Sequence, residues 1–275
     1  MIIDCHAHLT KRQLCGRGRK EQLLAEMRAA GVSATFLMGE AVANGTWFDT
    51  RELLEEVDGI PELKVIAGVD VDGDVGKQAE EYDTLIAAGK VVAFKLYPGY
   101  QYFYPADERL EPVYAVAKKR KVPVVIHTGD LYTEGAYQPP LLKYSHPLHV
   151  DEAAATHPDV TFVIAHLGSP WFADAAEVVF KNPNVYADVS GFFQGTTKSE
   201  HEEAYVALVK RRLADAIAYL GDASRFLFGT DWPLVTQEET VAFFRQAIPP
   251  KDQGLFFRGN AERLFLGHTG PMSSP

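Results

Sequence analysis

Short runs of apolar, largely β-branched residues recur along the chain: Ile2-Ile3, Ala34 to Met38, Lys64 to Val69, Val91 to Leu96, Pro123 to Ile126, Thr161 to Ala165, Val185 to Val189 and Arg225 to Phe228. They are near-continuously apolar, which predicts strands of a sheet buried on both faces. Between most of them lie stretches with apolar residues at helical spacing. Leu23, Leu24, Met27 and Ala30 share one face of a helix over 22–30 that Gly31 ends, and Val206, Val209, Leu213, Ile217 and Leu220 mark another over 203–220 that stops at Gly221. Both stripes are read as core packing.

Strands alternating with helices imply parallel pairing through right-handed crossovers, and eight such units in about 250 residues are the size of an α/β chain folded as a (β/α)8 TIM barrel. An open doubly wound sheet is the competing arrangement, disfavoured because no Gly-x-Gly-x-x-Gly follows any strand. The pattern predicts one domain over residues 1–267, with the Gly-, Ser- and Pro-containing 268–275 as a flexible tail. The stretch 130–147, with Tyr132, Tyr137, Pro139, Pro140 and His146, is a long excursion after the fifth strand, expected to help cover a site.

Charge and cysteine content narrow the partners. A formal net charge of −10 argues against nucleic acid, whose binding needs clustered Lys and Arg. Cys5 and Cys15 are the only cysteines, too few for a disulfide-built fold. With no apolar leader and no run of eighteen apolar residues, the expectation is a cytoplasmic protein that neither crosses nor docks on a membrane.

Candidate chemistry sits where the strands end. The first runs into Asp4-Cys5-His6-Ala7-His8, the fourth into Lys95, the fifth into His127, the sixth into His166 and the eighth, through Gly229-Thr230, into Asp231. Side chains two apart on a strand share a face, so His6 and His8 can hold one ion together. A barrel gathers its C-terminal strand ends at one mouth, which brings the scattered residues into one place. A charged or basic group buried at a strand end is costly unless it is paired or ligated; a neighbour could satisfy one such group, but six at one mouth are better explained by a cation, and imidazole with carboxylate suits Zn²⁺, Mn²⁺ or Fe²⁺. Cys5, between the inward-facing residues of the first strand, is expected to face the helices as a small apolar filler.

Taken in order, Asp4-x-His6-x-His8, Ile126-His127-Thr128-Gly129, Ala165-His166-Leu167-Gly168, Gly229-Thr230-Asp231-Trp232-Pro233 and Gly259-Asn260-Ala261-x-Arg263-Leu264-Phe265 resemble the amidohydrolase superfamily. The likeness is greatest to its amidohydrolase-related branch of metal-dependent hydrolases and aminocarboxymuconate-semialdehyde-type decarboxylases. It implies that His6, His8, His127 and Asp231 bind one metal, with His166 beside the activated water or the substrate. Lys95 falls where two-metal members carry a carbamylated lysine, so it is either a bridge to a second ion or an ammonium holding a substrate carboxylate.

The chemistry so implied is hydrolysis of an amide, lactone or ester, with Asp231 taking a proton from water and delivering it to the leaving group. The alternative is non-oxidative decarboxylation or hydration of an unsaturated or aromatic acid. Tyr97, Tyr100, Arg109, Trp171 and Trp232, with Tyr132 and Phe193, are candidate contacts for a small, carboxylate-bearing or aromatic substrate. The resemblance also implies a homodimer.

Overall fold

A computed structural model describes residues 1–133, 136, 138–192 and 200–267; the tail 268–275 and Phe193 lie outside the described residues. In chain order the elements are β1 (Ile2–Ala7), α1 (Lys20–Ala30), β2 (Val32–Met38), α2 (Thr50–Glu56), β3 (Leu63–Gly68), α3 (Val75–Ala87), β4 (Val91–Leu96) and α4 (Glu111–Arg120). There follow β5 (Val124–Ile126), α5 (His149–Thr156), β6 (Phe162–Ile164), α6 (Phe172–Lys181), β7 (Val185–Asp188), α7 (Glu200–Leu220), β8 (Phe226–Leu227), α8 (Gln237–Ala247) and α9 (Asn260–Phe265). Every predicted strand is present. Gly31, with φ 73°, and Gly221, with φ 93°, end α1 and α7 in the left-handed conformation that glycine adopts without strain.

The strands pair in parallel in the order β1 to β8. The two edges then meet: Cys5 N–H donates to the Phe228 carbonyl at 3.0 Å, Asp231 N–H donates to the His6 carbonyl at 2.8 Å, and Ala7 bridges Trp232. This is a TIM barrel, not an open sheet. Asp4 fastens the seam, its carboxylate accepting from Thr230 N (3.0 Å), Thr230 Oγ1 (2.7 Å) and Gln237 Nε2 (2.9 Å). Burial raises the Asp4 pKa to about 6 against the pull of those donors.

Two apolar layers result. Outward residues meet the helices, as where Phe94 packs 6.1 Å from Tyr82 of α3 and Phe162 packs 5.4 Å from Tyr114 of α4. Inward residues Ile3, Phe36, Ile66, Val125, Val163 and Leu227 fill the barrel together with Ala261 and Phe265 of α9. Asn260 donates to the carbonyls of Ala223 and Phe226 at the start of β8, so α9 closes the end opposite the strands' C-termini. The final Gly-Asn-Ala motif is therefore a plug.

Cys5 belongs to the interior cluster, not to the helical side as the alternation predicted. Between the pairs Asp4↔Thr35 and Ala7↔Leu37, β1 advances three residues while β2 advances two. This bulge shifts the phase of the strand, so Cys5 and His6 both turn inward while Ala7 packs outward. Among the described residues, no helix is long and apolar enough to cross a membrane.

Candidate metal centre

At the mouth, His6 Nε2 lies 3.8 Å and His8 Nε2 3.3 Å from Asp231 Oδ1, and the three ligand atoms fall within 4.8 Å of one another. The bulge in β1 presents the first; the inward position two residues on presents the second. Asp231 reaches the same point because it has left the strand with φ 68°, pinned by its bond to the His6 carbonyl. Gly191 permits this approach, since a Cβ there would sit 3.0 Å from His166 Nδ1 and 3.1 Å from Asp231 Oδ2.

Electrostatics prepares these groups as ligands. Burial lowers the His6 pKa to about 3, helped by the Lys95 charge, so its imidazole is neutral at physiological pH. For Asp231 burial acts upward, but the His8 hydrogen bond and the charges of His166, His6 and His8 outweigh it and hold the carboxyl below the usual range. Two imidazole nitrogens facing an ionised, buried carboxylate are a donor set that fits a divalent cation.

Asp188, which the strand-end reading passed over, is central to the site. Its Oδ2 accepts from His6 Nδ1 at 2.8 Å, while Oδ1 accepts from His166 N (3.0 Å), Ser190 N (3.0 Å) and Ser190 Oγ (2.5 Å). Its oxygens being thus committed, Asp188 orients His6 from behind and leaves Nε2 for an ion, a carboxylate–histidine–metal arrangement that fixes the tautomer and ring plane of the ligand. The signal was available: β7 ends in Asp188 just as other strands end in histidine.

His166 stands next to His6, ring centroids 4.7 Å apart, on a backbone with φ 60°. Its Nδ1 contacts Ser190 Oγ at 2.9 Å, and because that hydroxyl gives its own proton to Asp188, the imidazole Nδ1–H is the donor. His127 has its ring 5.0 Å from His166 and its Nε2 2.9 Å from the Asp130 carbonyl, outside the three-atom cluster, with Nδ1 the nitrogen left for an ion. Lys95 is buried, with Nζ 3.5 Å from His6 Nε2; burial lowers its pKa to about 8, while Asp188, Asp231 and Glu40 support the charge.

The candidate substrate contacts divide. Tyr97 gives its hydroxyl proton to the Gly39 carbonyl, and Tyr100 lies 5.0 Å from the His127 ring and accepts from Tyr132 N, so both line the mouth's inner wall. Trp47, which sequence reasoning overlooked, stands 5.3 Å from His8 and 6.3 Å from Tyr132. Trp171 packs 4.6 Å from His146. Arg109 is held by Asp107 at 2.8 Å, Asp72 at 3.4 Å and the Val71 carbonyl, which commits its guanidinium away from the histidines. Trp232 is fully enclosed in the core and packs there, with no face open to a substrate.

No curated protein sequence matches the chain. Among solved structures, an uncharacterised TIM-barrel protein from Bordetella bronchiseptica is 22% identical with a TM-score of 0.73, the match covering 96% of this chain and 98% of that one. An amidohydrolase from Burkholderia multivorans with bound zinc is 17% identical, with a TM-score of 0.69 and coverage of 97% and 99%. The 2,6-dihydroxybenzoate decarboxylase from Rhizobium is also 17% identical, with a TM-score of 0.69 and coverage of 96% and 98%. These likenesses concern the fold. The family model described as Amidohydrolase matches residues 3–266, and the chain belongs to that family.

Proposed function

We propose that the protein is a metal-dependent hydrolase cleaving a C–N or C–O bond of a small carboxylate-bearing or aromatic amide, lactone or ester. His6, His8 and Asp231 hold one divalent ion, with His127 as the further ligand that the resemblance supplies; zinc is the proposed metal. The observation that carries the reading is Asp231, whose Oδ1 faces both imidazoles while Oδ2 lies against Gly191 beside His166. One carboxylate thus has an oxygen for the cation and an oxygen for a proton.

The ion, when bound, acidifies water and polarises a carbonyl group. Asp231 accepts the water proton and returns it to the leaving nitrogen or oxygen. Neutral His166, its Nδ1–H engaged with Ser190, offers Nε2 as an acceptor that fixes the water's direction. Lys95 carries an ammonium charge at neutral pH and can bind a substrate carboxylate beside His6.

That placement of Lys95 also favours a second reading, decarboxylation, because it would hold the carboxylate itself at the reacting centre; the Rhizobium neighbour bears the name of such an enzyme. Zinc-loaded protein should release acid from a panel of lactones, esters and amides without evolving carbon dioxide from hydroxybenzoates. Carbon dioxide as the sole product would replace the hydrolase by the lyase.

The role of Lys95 has its own test. Protein purified with bicarbonate should contain one zinc per chain, and Lys95→Met should keep that zinc while raising KM for a carboxylate substrate about tenfold or more, the loss of one charged hydrogen bond. Two zinc ions per chain, lost in Lys95→Met, would instead make Lys95 a carbamylated bridge.

A further inference from the structure

His6 and His8 are supported unequally. The Nδ1 of His6 has Asp188 at 2.8 Å, but the Nδ1 of His8 is buried and has no hydrogen-bond partner among the described residues. A neutral imidazole whose Nε2 faces a cation must carry its proton on Nδ1, and a buried N–H without an acceptor is costly. The Glu40 carboxylate stands 3.8 Å away, with its side chain only 16% exposed.

The placement of Glu40 is built in, not incidental. It follows β2, where Gly39 turns the chain and Glu40 N–H donates to the Phe48 carbonyl at 2.9 Å. The turn presses on β3 so closely that a Cβ on Gly68 would collide with the Gly39 and Glu40 backbone, and a Cβ on Gly39 would come within 2.6 Å of Thr50 Oγ1. Thr50 Oγ1 in turn accepts from Gly68 N at 2.9 Å. Two glycines and a threonine therefore seat this carboxylate against the far side of His8, where the Trp47 ring also packs.

We propose that Glu40 is the positioning residue of His8: its carboxylate accepts the Nδ1 proton when Nε2 engages the cation, closing the 3.8 Å gap by a side-chain rotation and completing for His8 what Asp188 does for His6. Both histidines then approach the ion with fixed tautomer and fixed ring plane. The inference rests on the metal-site reading above.

Zinc affinity measured by competition with a chromogenic chelator tests it on the full chain. Glu40→Leu, which has no acceptor, should bind zinc 10–100-fold more weakly than the parent, the range for loss of such a partner. Glu40→Gln, which keeps an acceptor oxygen and nearly the same shape, should show a smaller loss, and metal-free Glu40→Gln should melt with the parent. Zinc affinity in Glu40→Leu within twofold of the parent overturns the role of Glu40; should Glu40→Leu fail to fold, unchanged affinity in Glu40→Gln together with a lowered melting temperature makes Glu40 merely structural. A parent protein that binds no zinc overturns the metal-site reading and this one with it.

Discussion

Asp231→Asn should reduce turnover by ~10³-fold while leaving the barrel folded. General acid–base groups contribute about 10²–10⁴-fold, and a thousandfold loss is about 4 kcal/mol of transition-state stabilisation. The carboxamide cannot take a proton, and it offers the ion a neutral ligand in place of an anion. The fold should tolerate the change, because the left-handed φ of 68° is one that asparagine adopts readily and the backbone bond to the His6 carbonyl is untouched. Rates should be measured in excess zinc, so that weakened metal affinity and lost proton transfer are read separately, with the melting temperature as the control. More than a tenth of parental activity in Asp231→Asn would remove Asp231 from proton transfer.

The parts of this protein that local pattern dictates were readable from the chain. Near-continuous apolar strands alternating with helices specify a parallel sheet, and the barrel follows because eight of them close; Gly31 and Gly221 mark helix ends through their left-handed backbone. His6, His8 and Asp231 converge because strand ends converge. What periodicity could not reveal is a break in periodicity. The β1 bulge turns His6 inward beside Cys5, which shares the face of Ile3, so counting alternate faces back from the histidines puts Cys5 on the wrong side. Asp188 stands at a strand end as the histidines do, but its action on His6, like that of Glu40 on His8, runs through a residue of another strand, and that adjacency exists only in the folded barrel. Arg109 shows the reverse, a cation near a candidate loop whose carboxylate neighbours, Asp107 and Asp72, claim it first.

The same reasoning gives the second large effect, at Asp188. Burial alone would raise its pKa, but the His6 hydrogen bond and the charges of His6, His166 and Lys95 prevail and hold it below the usual range, so it is ionised and accepts four donors. Asp188→Asn cannot serve them all. With its NH₂ toward Ser190, three donors face a donor; with its NH₂ toward His6, Nδ1 must become the acceptor, which moves the proton to Nε2 and blocks the ligand atom. Metal-free Asp188→Asn should therefore lose about 3 kcal/mol or more in urea unfolding, and zinc binding should weaken at least tenfold. The pH dependence has a definite sign. A carboxylate with a depressed folded pKa stabilises above its unfolded value of about 3.9, and that contribution disappears as pH falls through the folded value. The gap between parent and variant should thus be widest near neutral pH and narrow below about pH 4. His6 changes both proteins in the same direction, since its pKa of about 3 means that protonation favours unfolding as pH drops below 6.5. A stability loss under about 1 kcal/mol with unchanged zinc affinity would mean that His6 keeps its orientation without Asp188, and that the ring packing against His8 and His166, at 5.5 and 4.7 Å, is sufficient to hold it.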